Sequence, residues 1–511
     1  MKPSIFDRLK IRVLIWTRNV NRRAVEGWAR RTFRRQRALT SGAIELEAAR
    51  DHYGAPDIPA ALRVPKQMPP EAKLKLSYTL PYYYLVGLVF ELYRRLPIKR
   101  ASAWRRGFEW NRAFPLNEEG WQDTNSDAAF ARLRVQGSNP FLLRRVDDRG
   151  GFEVDYSPYF AGIHPATVCR FRLDDDGRTL EPESISIGEE TFTPGSSGWE
   201  RAKLRANALD ARYCVFTLHL LYSHLLVGEA FAIAAYSLPA EHALRPFMDF
   251  FTYGTLLVND FAYKLLITPS SYFLQSKFIS GADAMTLFQN SMRAFSLDSL
   301  NVPKDIAARG VDAIPGHPYV EDALAAWAVL SDAISGYVDT LYADDAALTV
   351  DDALQRWYRR LAALLPNQDI TDEPLDGRAR LVRVLCCLLY NNVCHEVCGD
   401  FSPFGQSQNP EHKKLVNFEN MKAGNFEDDA RAADVFLYDQ GAFAGRFNNA
   451  GNNILTIDVD RFIQDAGLRV AVRQLQRGLQ ALDETLAERN KRREQPFYRM
   501  MPRFWEASIS F

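Results

Sequence analysis

The pattern of apolar and polar positions predicts a mainly helical protein. From Trp199 onward the pattern is typical of helices, and residues 1–50 read as a basic, partly amphipathic helical region. Residues 145–198 differ, because turn-rich stretches there separate alternating segments such as SISIGEETFT. Such alternation predicts a few short strands. The sequence therefore indicates a large helical domain that carries a small β-region.

One stretch, residues 213–238, is apolar enough and long enough to cross a bilayer. It contains His219, His224 and Glu229 near its middle, however, and ionisable groups are costly in lipid. We therefore expect the central buried helix of a large α-helical domain, with a membrane span as the alternative.

Composition and charge narrow the classes of function. The chain has 511 residues, of which 47% are apolar and 25% charged, and its formal net charge is zero. A neutral chain is unsuited to nucleic acid as its main partner. Six cysteines do not form a disulfide framework in so long a chain, and no signal-peptide pattern is seen. A cytoplasmic protein is expected.

The charge is concentrated at one end of the chain. Residues 1–37 carry twelve Lys/Arg and two acids. The segment FDRLKIRVLIW can place an apolar face on a membrane surface with its arginines toward anionic lipid. The alternative is a solvated helix packed against the body of the protein.

The histidines raise the possibility of a metal site. His219 and His224 are five residues apart, which places them about 140° apart around a regular α-helix. They can face one ion only if the turn between them is widened as in a π-helix. His395 lies in a second apolar stretch and would complete a three-histidine set, which suits zinc or non-haem iron. The alternative is that these are hydrogen-bonded core histidines.

The end of the chain, QPFYRMMPRFWEASISF, is apolar and aromatic up to Phe511. Most chain ends are polar and frayed, so this pattern predicts a buried tail. A buried terminal carboxylate must be paired or bound to a cation, which strengthens the metal hypothesis.

Several segments, in order from about residue 125 to 511, resemble the lipoxygenases, the non-haem iron dioxygenases of polyunsaturated fatty acids. They are RLRVQGSNPFLL (132–143), WERAKLRANALDARYCVFTLH (199–219), HLLYSH (219–224), VNDFAYKLLI (258–267), VPKDIAARGV (302–311), the helical segment 317–345 and the final EASISF. The resemblance implies a lipoxygenase-type helical catalytic domain whose central helix is distorted at the metal.

The resemblance also implies the site and its chemistry. The iron ligands would be His219, His224, His395 and the main-chain carboxylate of Phe511, with no catalytic residue beyond them. The partners would be a polyunsaturated lipid and O2, and the product a hydroperoxide formed by hydrogen abstraction and O2 addition. Ala262 and Leu266 would line the substrate channel, and Ala262 implies products of S configuration.

The chain departs from the family pattern at identifiable positions. Gly399 stands where the family usually offers an Asn ligand, so water, Cys398 or Asp400 would take that place, and we favour water. Tyr263 stands where the family has Arg. These departures motivate an alternative function, a diverged metalloenzyme of the same fold that oxidises or rearranges a different lipid-like or biosynthetic substrate. A non-catalytic lipid-binding protein is the third hypothesis.

The predicted domain organisation has two parts. Residues 1–75 would form a basic helical appendage with a Pro-rich linker, and residues 76–511 the catalytic domain. Residues 1–110 look helical, unlike the family's N-terminal β-barrel, as in bacterial relatives without the barrel. Membrane contact would then fall to the basic N-terminal helix.

Overall fold

A computed structural model describes residues 22–37, 42–72, 126–146, 151–267, 279–366, 374–398 and 453–509. Its first helices and strands are α1 (Arg22–Arg37), β1 (Leu46–Ala48), α2 (Ala49–His52), β2 (Arg63–Pro65), α3 (Asp127–Gln136), β3 (Arg144–Arg145), β4 (Gly151–Asp155), α4 (Ser157–Phe160), β5 (Thr167–Leu173), β6 (Leu180–Ile187) and β7 (Glu190–Phe192). The prediction of a mainly helical fold with a few short strands is confirmed.

The second half is helical throughout its described parts. It contains α5 (Trp199–Arg212), the π-helix π1 (Tyr213–Gly228), α6 (Glu229–Ala234), α7 (Arg245–Phe251), α8 (Thr255–Ala262), a π-turn π2 (Tyr263–Ile267), α9 (Gly281–Ala294), α10 (Val302–Arg309), α11 (Pro318–Leu341), α12 (Asp345–Thr349), α13 (Asp352–Leu364), α14 (Arg378–Cys398), α15 (Val459–Phe462) and α16 (Ala466–Asn490). Short 3₁₀ turns connect several of them, at Ala235–Ser237, Leu297–Leu300, Val311–Ala313 and Pro502–Phe504.

The predicted strands of residues 145–198 form one antiparallel sheet in the order β3-β4-β5-β6-β7. Phe152 pairs with Phe171 and Val154 with Cys169, and all four side chains are buried. The sheet packs through β6 on α3 and α5, the helix that leads into π1. The sheet therefore supports the beginning of the central helix.

The helices start at residues that favour helix termini. Asp351 accepts the backbone N–H groups of Ala353 and Leu354 at the start of α13, and Asp465 accepts that of Leu468 at the start of α16. Along α16, apolar side chains at helical spacing bury one face against α11: Leu468, Val472, Leu475, Leu479, Leu482 and Leu486. Helix α13 packs in turn on α6.

The central helix is continuous from Trp199 to Ser237 and consists of α5, π1, α6 and a final 3₁₀ turn. It is long and apolar enough for a membrane span by length and composition, and 94% of its apolar window is buried inside the protein. Helices α8, α9 and α14 pack on π1. This burial is that of a core helix, as the sequence predicted.

The described parts of residues 1–75 lie on the same core. Phe33 is buried against Tyr253 with the ring centroids 4.8 Å apart, and Arg37 pairs with Asp249 at 2.8 Å. The helical prediction for residues 1–50 holds for α1 but is wrong at Leu46–Ala48, which is a strand. The physical reason is pairing, because β2 supplies the backbone partners for β1. The boundary between residues 1–75 and 76–511 stays a prediction.

The close packing of π1 at Gly228 gives a testable prediction. A Cβ atom at this position would lie 2.5 Å from the carbonyl oxygen of Ser223 and 3.5 Å from Cδ1 of Ile509. Backbone at that distance must shift, so Gly228→Ala should lower the free energy of unfolding by about 1–3 kcal/mol in urea titrations.

The matched control is Gly336→Ala in α11, where a Cβ atom meets nothing within 4 Å. Alanine is favoured over glycine inside a helix by roughly 0.5–1 kcal/mol, so this variant should be slightly stabilised. Equal stabilisation of both variants would contradict the steric argument.

Candidate metal centre

The structure brings His219, His224 and His395 together. His219 and His224 project from π1, and His395 projects from the last turn of α14. The ring centroids are 5.0 Å apart for the first two, 4.5 Å for His219 and His395, and 4.7 Å for His224 and His395. One ligand atom from each lies within 4.8 Å of the others, and all three side chains are buried. Within the described ranges, this is the group that can hold a metal ion.

The widened helix explains how two histidines five residues apart converge. A turn of a π-helix contains about one residue more than a turn of an α-helix, so positions i and i+5 lie on nearly the same face. The Ser223 hydroxyl donates to the carbonyl oxygen of Leu218, also five residues back, at 2.9 Å. The turn that the sequence required for convergence is therefore present.

The distance between two of the histidine nitrogens and the protonation state of their rings both suit a bound cation. Nε2 of His224 lies 3.0 Å from Nε2 of His395. Two nitrogens at about 2.1 Å from one ion and at right angles to each other are about 3.0 Å apart. Burial lowers the pKa of His395 to about 4, and burial together with His395 lowers the pKa of His224 well below its usual value. Both rings are therefore neutral at neutral pH, with lone pairs available to a metal.

Asn259 of α8 orients His224. Nδ1 of His224 lies 3.0 Å from Oδ1 of Asn259, so its N–H donates to the amide oxygen and Nε2 is left as the acceptor. The Asn259 amide donates in turn to the His224 carbonyl oxygen at 2.9 Å and to the Glu229 carboxyl group. Asn259 belongs to the segment VNDFAYKLLI, and Glu229 is one of the ionisable groups of the apolar stretch 213–238.

Helix α14 is tied to both π1 and the chain's C-terminal tail. Asn391 donates to the Ser223 carbonyl oxygen at 2.9 Å, and Asn392 donates to that of Ala507 at 3.2 Å. The predicted burial of the tail is confirmed for Trp505, Ala507, Ser508 and Ile509. Phe511, the fourth predicted ligand, lies outside the described residues.

The structure argues against a thiolate ligand at Cys398. Its thiol donates to the Cys394 carbonyl oxygen of its own helix at 2.7 Å. In the metal-free protein, burial also raises the pKa of this thiol well above its usual value, and Cys398 is not part of the group of converging ligand atoms. Gly399 and Asp400, the other positions considered for a fifth ligand, lie outside the described residues.

Two further buried or half-buried histidines of the chain have other partners. His242 lies 2.9 Å from Asp351, and His317 caps the start of α11 through the Val320 backbone. Of the predicted channel residues, Ala262 is buried at the end of α8 and Leu266 is half-buried in π2. Their role in a channel stays a prediction.

Glu229 gives a pH-dependent prediction. Burial raises its pKa from 4.5 to about 8, so the folded protein binds this proton more tightly than the unfolded chain. Its contribution to stability is present below about pH 4.5 and is lost as the pH rises through about 8. Glu229→Gln should therefore gain stability over wild type by a few kcal/mol between about pH 5 and pH 9, in urea titrations of the metal-free protein.

The control is the exposed Glu189→Gln, for which the difference from wild type should not change over this range. A pH-independent difference for Glu229→Gln would show that the pKa of this carboxyl group is not raised in the folded protein.

Comparison with known proteins agrees with this architecture. Residues 185–408 match the family model "Lipoxygenase". The linoleate 9/13-lipoxygenase of Pseudomonas aeruginosa is 27% identical over 335 residues, which cover 54% of this chain and 48% of that protein. The human hydroperoxide isomerase ALOXE3 is 29% identical over 201 residues, which cover 38% of this chain and 28% of that protein. The chain spans about half the length of the curated relatives first matched.

Among solved structures, a calcium-dependent 11R-lipoxygenase superposes with a TM-score of 0.66 at 20% identity, covering 79% of this chain and 69% of that one. At this identity the likeness concerns the fold. The family model, the curated relatives and the shared fold agree with the motifs quoted from the sequence, and residues 185–408 form a domain of the lipoxygenase family.

Proposed function

We propose that this chain is a non-haem iron dioxygenase that converts a polyunsaturated fatty acid or related lipid to its hydroperoxide. The observation that carries the proposal is the cluster of His219, His224 and His395, three buried imidazoles with converging ligand atoms. Neutral imidazoles with open positions beside them suit non-haem iron. The names of the matched relatives, which include a linoleate lipoxygenase, support the lipid substrate.

The residues of the chain would prepare the site in three ways. The histidines would hold the iron, and Asn259 would keep His224 in the tautomer that presents Nε2. Buried apolar side chains of π1, such as Leu220, Leu221 and Leu225, would keep water away from a carbon-centred radical. The chemistry that iron supplies when bound is removal of a bis-allylic hydrogen atom, after which O2 adds to the carbon radical.

The carboxylate of Phe511 is proposed as the fourth protein ligand. Ile509, two residues earlier, is buried, and its Cδ1 lies 3.5 Å from the Cβ position of Gly228 on π1. Two residues of extended chain reach at most about 7 Å, so this packing limits where the carboxylate can lie. A carboxylate beside three neutral imidazoles would offset part of the charge of the metal.

Ala262 and Leu266 are proposed to border the substrate channel. Ala262 lies one turn after Asn259 on α8, and Asn259 contacts His224, so this part of α8 faces toward the metal centre. A small side chain at Ala262 leaves space for O2 or lipid, and S products are expected. Chiral chromatography of the product hydroperoxides measures the configuration.

Peripheral membrane contact through the basic N-terminal helix is also proposed, for a protein of the cytoplasm. The segment FDRLKIRVLIW itself lies outside the described residues, and helix α1, which follows it in the sequence, supports the proposal. One face of α1 is buried through Arg30, Phe33 and Arg37. Its opposite face exposes Arg31 and Arg35, and Trp28 is 41% exposed. A cationic face with an exposed indole suits an anionic lipid surface.

A second candidate, rearrangement of a lipid hydroperoxide, is favoured by two observations. The matched human relative is named a hydroperoxide isomerase, and Gly399 departs from the family's usual ligand. Both candidates use the same metal centre. If iron is bound, loss of linoleic acid hydroperoxide without formation of conjugated diene from linoleate would favour this candidate.

The test of the dioxygenase uses iron content and diene formation together. Wild type should contain one iron per chain and form conjugated diene from linoleate or arachidonate. His395→Ala removes one of the three imidazoles, so iron content and activity should both fall. The fall should be at least about tenfold, since loss of a group that only supports a ligand already has an effect of that order.

The matched control is His242→Ala, since His242 contacts Asp351 rather than the cluster. It should keep its iron and its activity. Iron that persists in His395→Ala, or zinc in place of iron in wild type, would rule out the proposed centre.

A further inference from the structure

A serine near the end of the chain is held inside the protein by two distant segments. Ser508 is fully buried, and its hydroxyl donates to the Tyr253 carbonyl oxygen at 2.9 Å. The same hydroxyl accepts from Nη2 of Arg30 at 3.5 Å. Ser508 therefore joins the C-terminal tail both to the loop before α8 and to helix α1.

Arg30 is itself fixed by aromatic rings. It is 4% exposed, and its guanidinium carbon lies 4.2 Å from the Tyr253 ring centroid. The rings of Phe250 and Phe462 lie 5.8 and 5.7 Å away. Such contacts attract a cation to a ring face and are stronger when water is excluded. Tyr253 thus contacts Arg30 through its ring and Ser508 through its carbonyl group.

The tail that Ser508 anchors runs beside the histidine cluster. Asn392, which donates to the Ala507 carbonyl oxygen, lies one turn before His395 on α14. Ile509 packs at Gly228, one turn after His224. The residues on both sides of Ser508 are thus held by the two helices that carry the histidines.

We infer that Arg30, acting through Ser508, holds the C-terminal tail beside the histidine cluster and thereby supports retention of the metal. The inference rests on the proposed function, in which the three histidines hold iron. Arg30 is a positioning residue here, because it contacts the tail and not the metal. Helix α1 is thereby part of the support of the metal centre, although Arg30 and Ser508 are 478 positions apart in the sequence.

The experiment compares iron retention in the full chain for wild type, Arg30→Ala, Arg30→Lys and Ser508→Ala. The control is Arg34→Ala, which removes an arginine of the same helix that donates to the Phe462 carbonyl oxygen. Three properties are measured: the rate of iron loss to a chelator, the electron paramagnetic resonance spectrum of the ferric form, and thermal unfolding of the metal-free protein.

Arg30→Ala and Ser508→Ala should lose iron about tenfold faster than wild type, the lower end of the range for groups that orient ligands, and their ferric spectra should change shape. Arg30→Lys keeps a cation near Tyr253 and should recover part of the retention. Arg34→Ala should behave as wild type. The metal-free Ser508→Ala protein should unfold within a few degrees of wild type, which separates positioning from folding.

Wild-type iron retention and an unchanged spectrum in both Arg30→Ala and Ser508→Ala would overturn this inference and leave the proposed function standing. A wild-type protein without iron would overturn the proposed function, and the inference with it. If Arg30→Ala does not fold, Ser508→Ala decides alone, since it removes only one buried hydroxyl group.

Discussion

Two histidines five residues apart can bind one ion only if the helix between them is widened, and the core is arranged around that requirement. A π-helix is rare, and it needs contacts from neighbouring segments that a regular α-helix does not need. Here Asn391 donates to the Ser223 carbonyl oxygen. Gly228 has no Cβ atom, so its backbone can lie close to the same carbonyl oxygen. Helices α8, α9 and α14 then enclose the widened segment, so its geometry depends on tertiary contacts.

Among the described residues, burial keeps several ionisable groups around the histidines largely neutral. Burial holds Cys394 and Cys398 as thiols and raises the pKa of Glu229 to about 8, so these groups stay largely neutral at neutral pH. The two histidines that face each other are neutral for the same reason. A cation bound among them would therefore interact strongly with the proposed carboxylate ligand, because neutral groups screen a charge less than ionised groups do.

Much of this could be read from the sequence, because it depends on local patterns. The spacing of His219 and His224 required a widened turn, and the apolar ending predicted the burial of Ile509. The parts that were missed depend on segments far apart in the chain. The strand at Leu46–Ala48 exists because β2 returns beside it, and the contact of Arg30 with Ser508 has no local pattern. The role of Asn259 likewise follows only from its contact with His224.

X-ray absorption at the iron edge of the purified protein tests the central claim most directly. The account predicts iron with a shell of nitrogen and oxygen atoms, and with the outer-shell scattering of three imidazole rings from His219, His224 and His395. No sulfur shell is expected, because the Cys398 thiol donates to the Cys394 carbonyl oxygen of its own helix and lies outside the group of converging ligand atoms. A spectrum with sulfur in the first shell, or without imidazole scattering, would contradict the account.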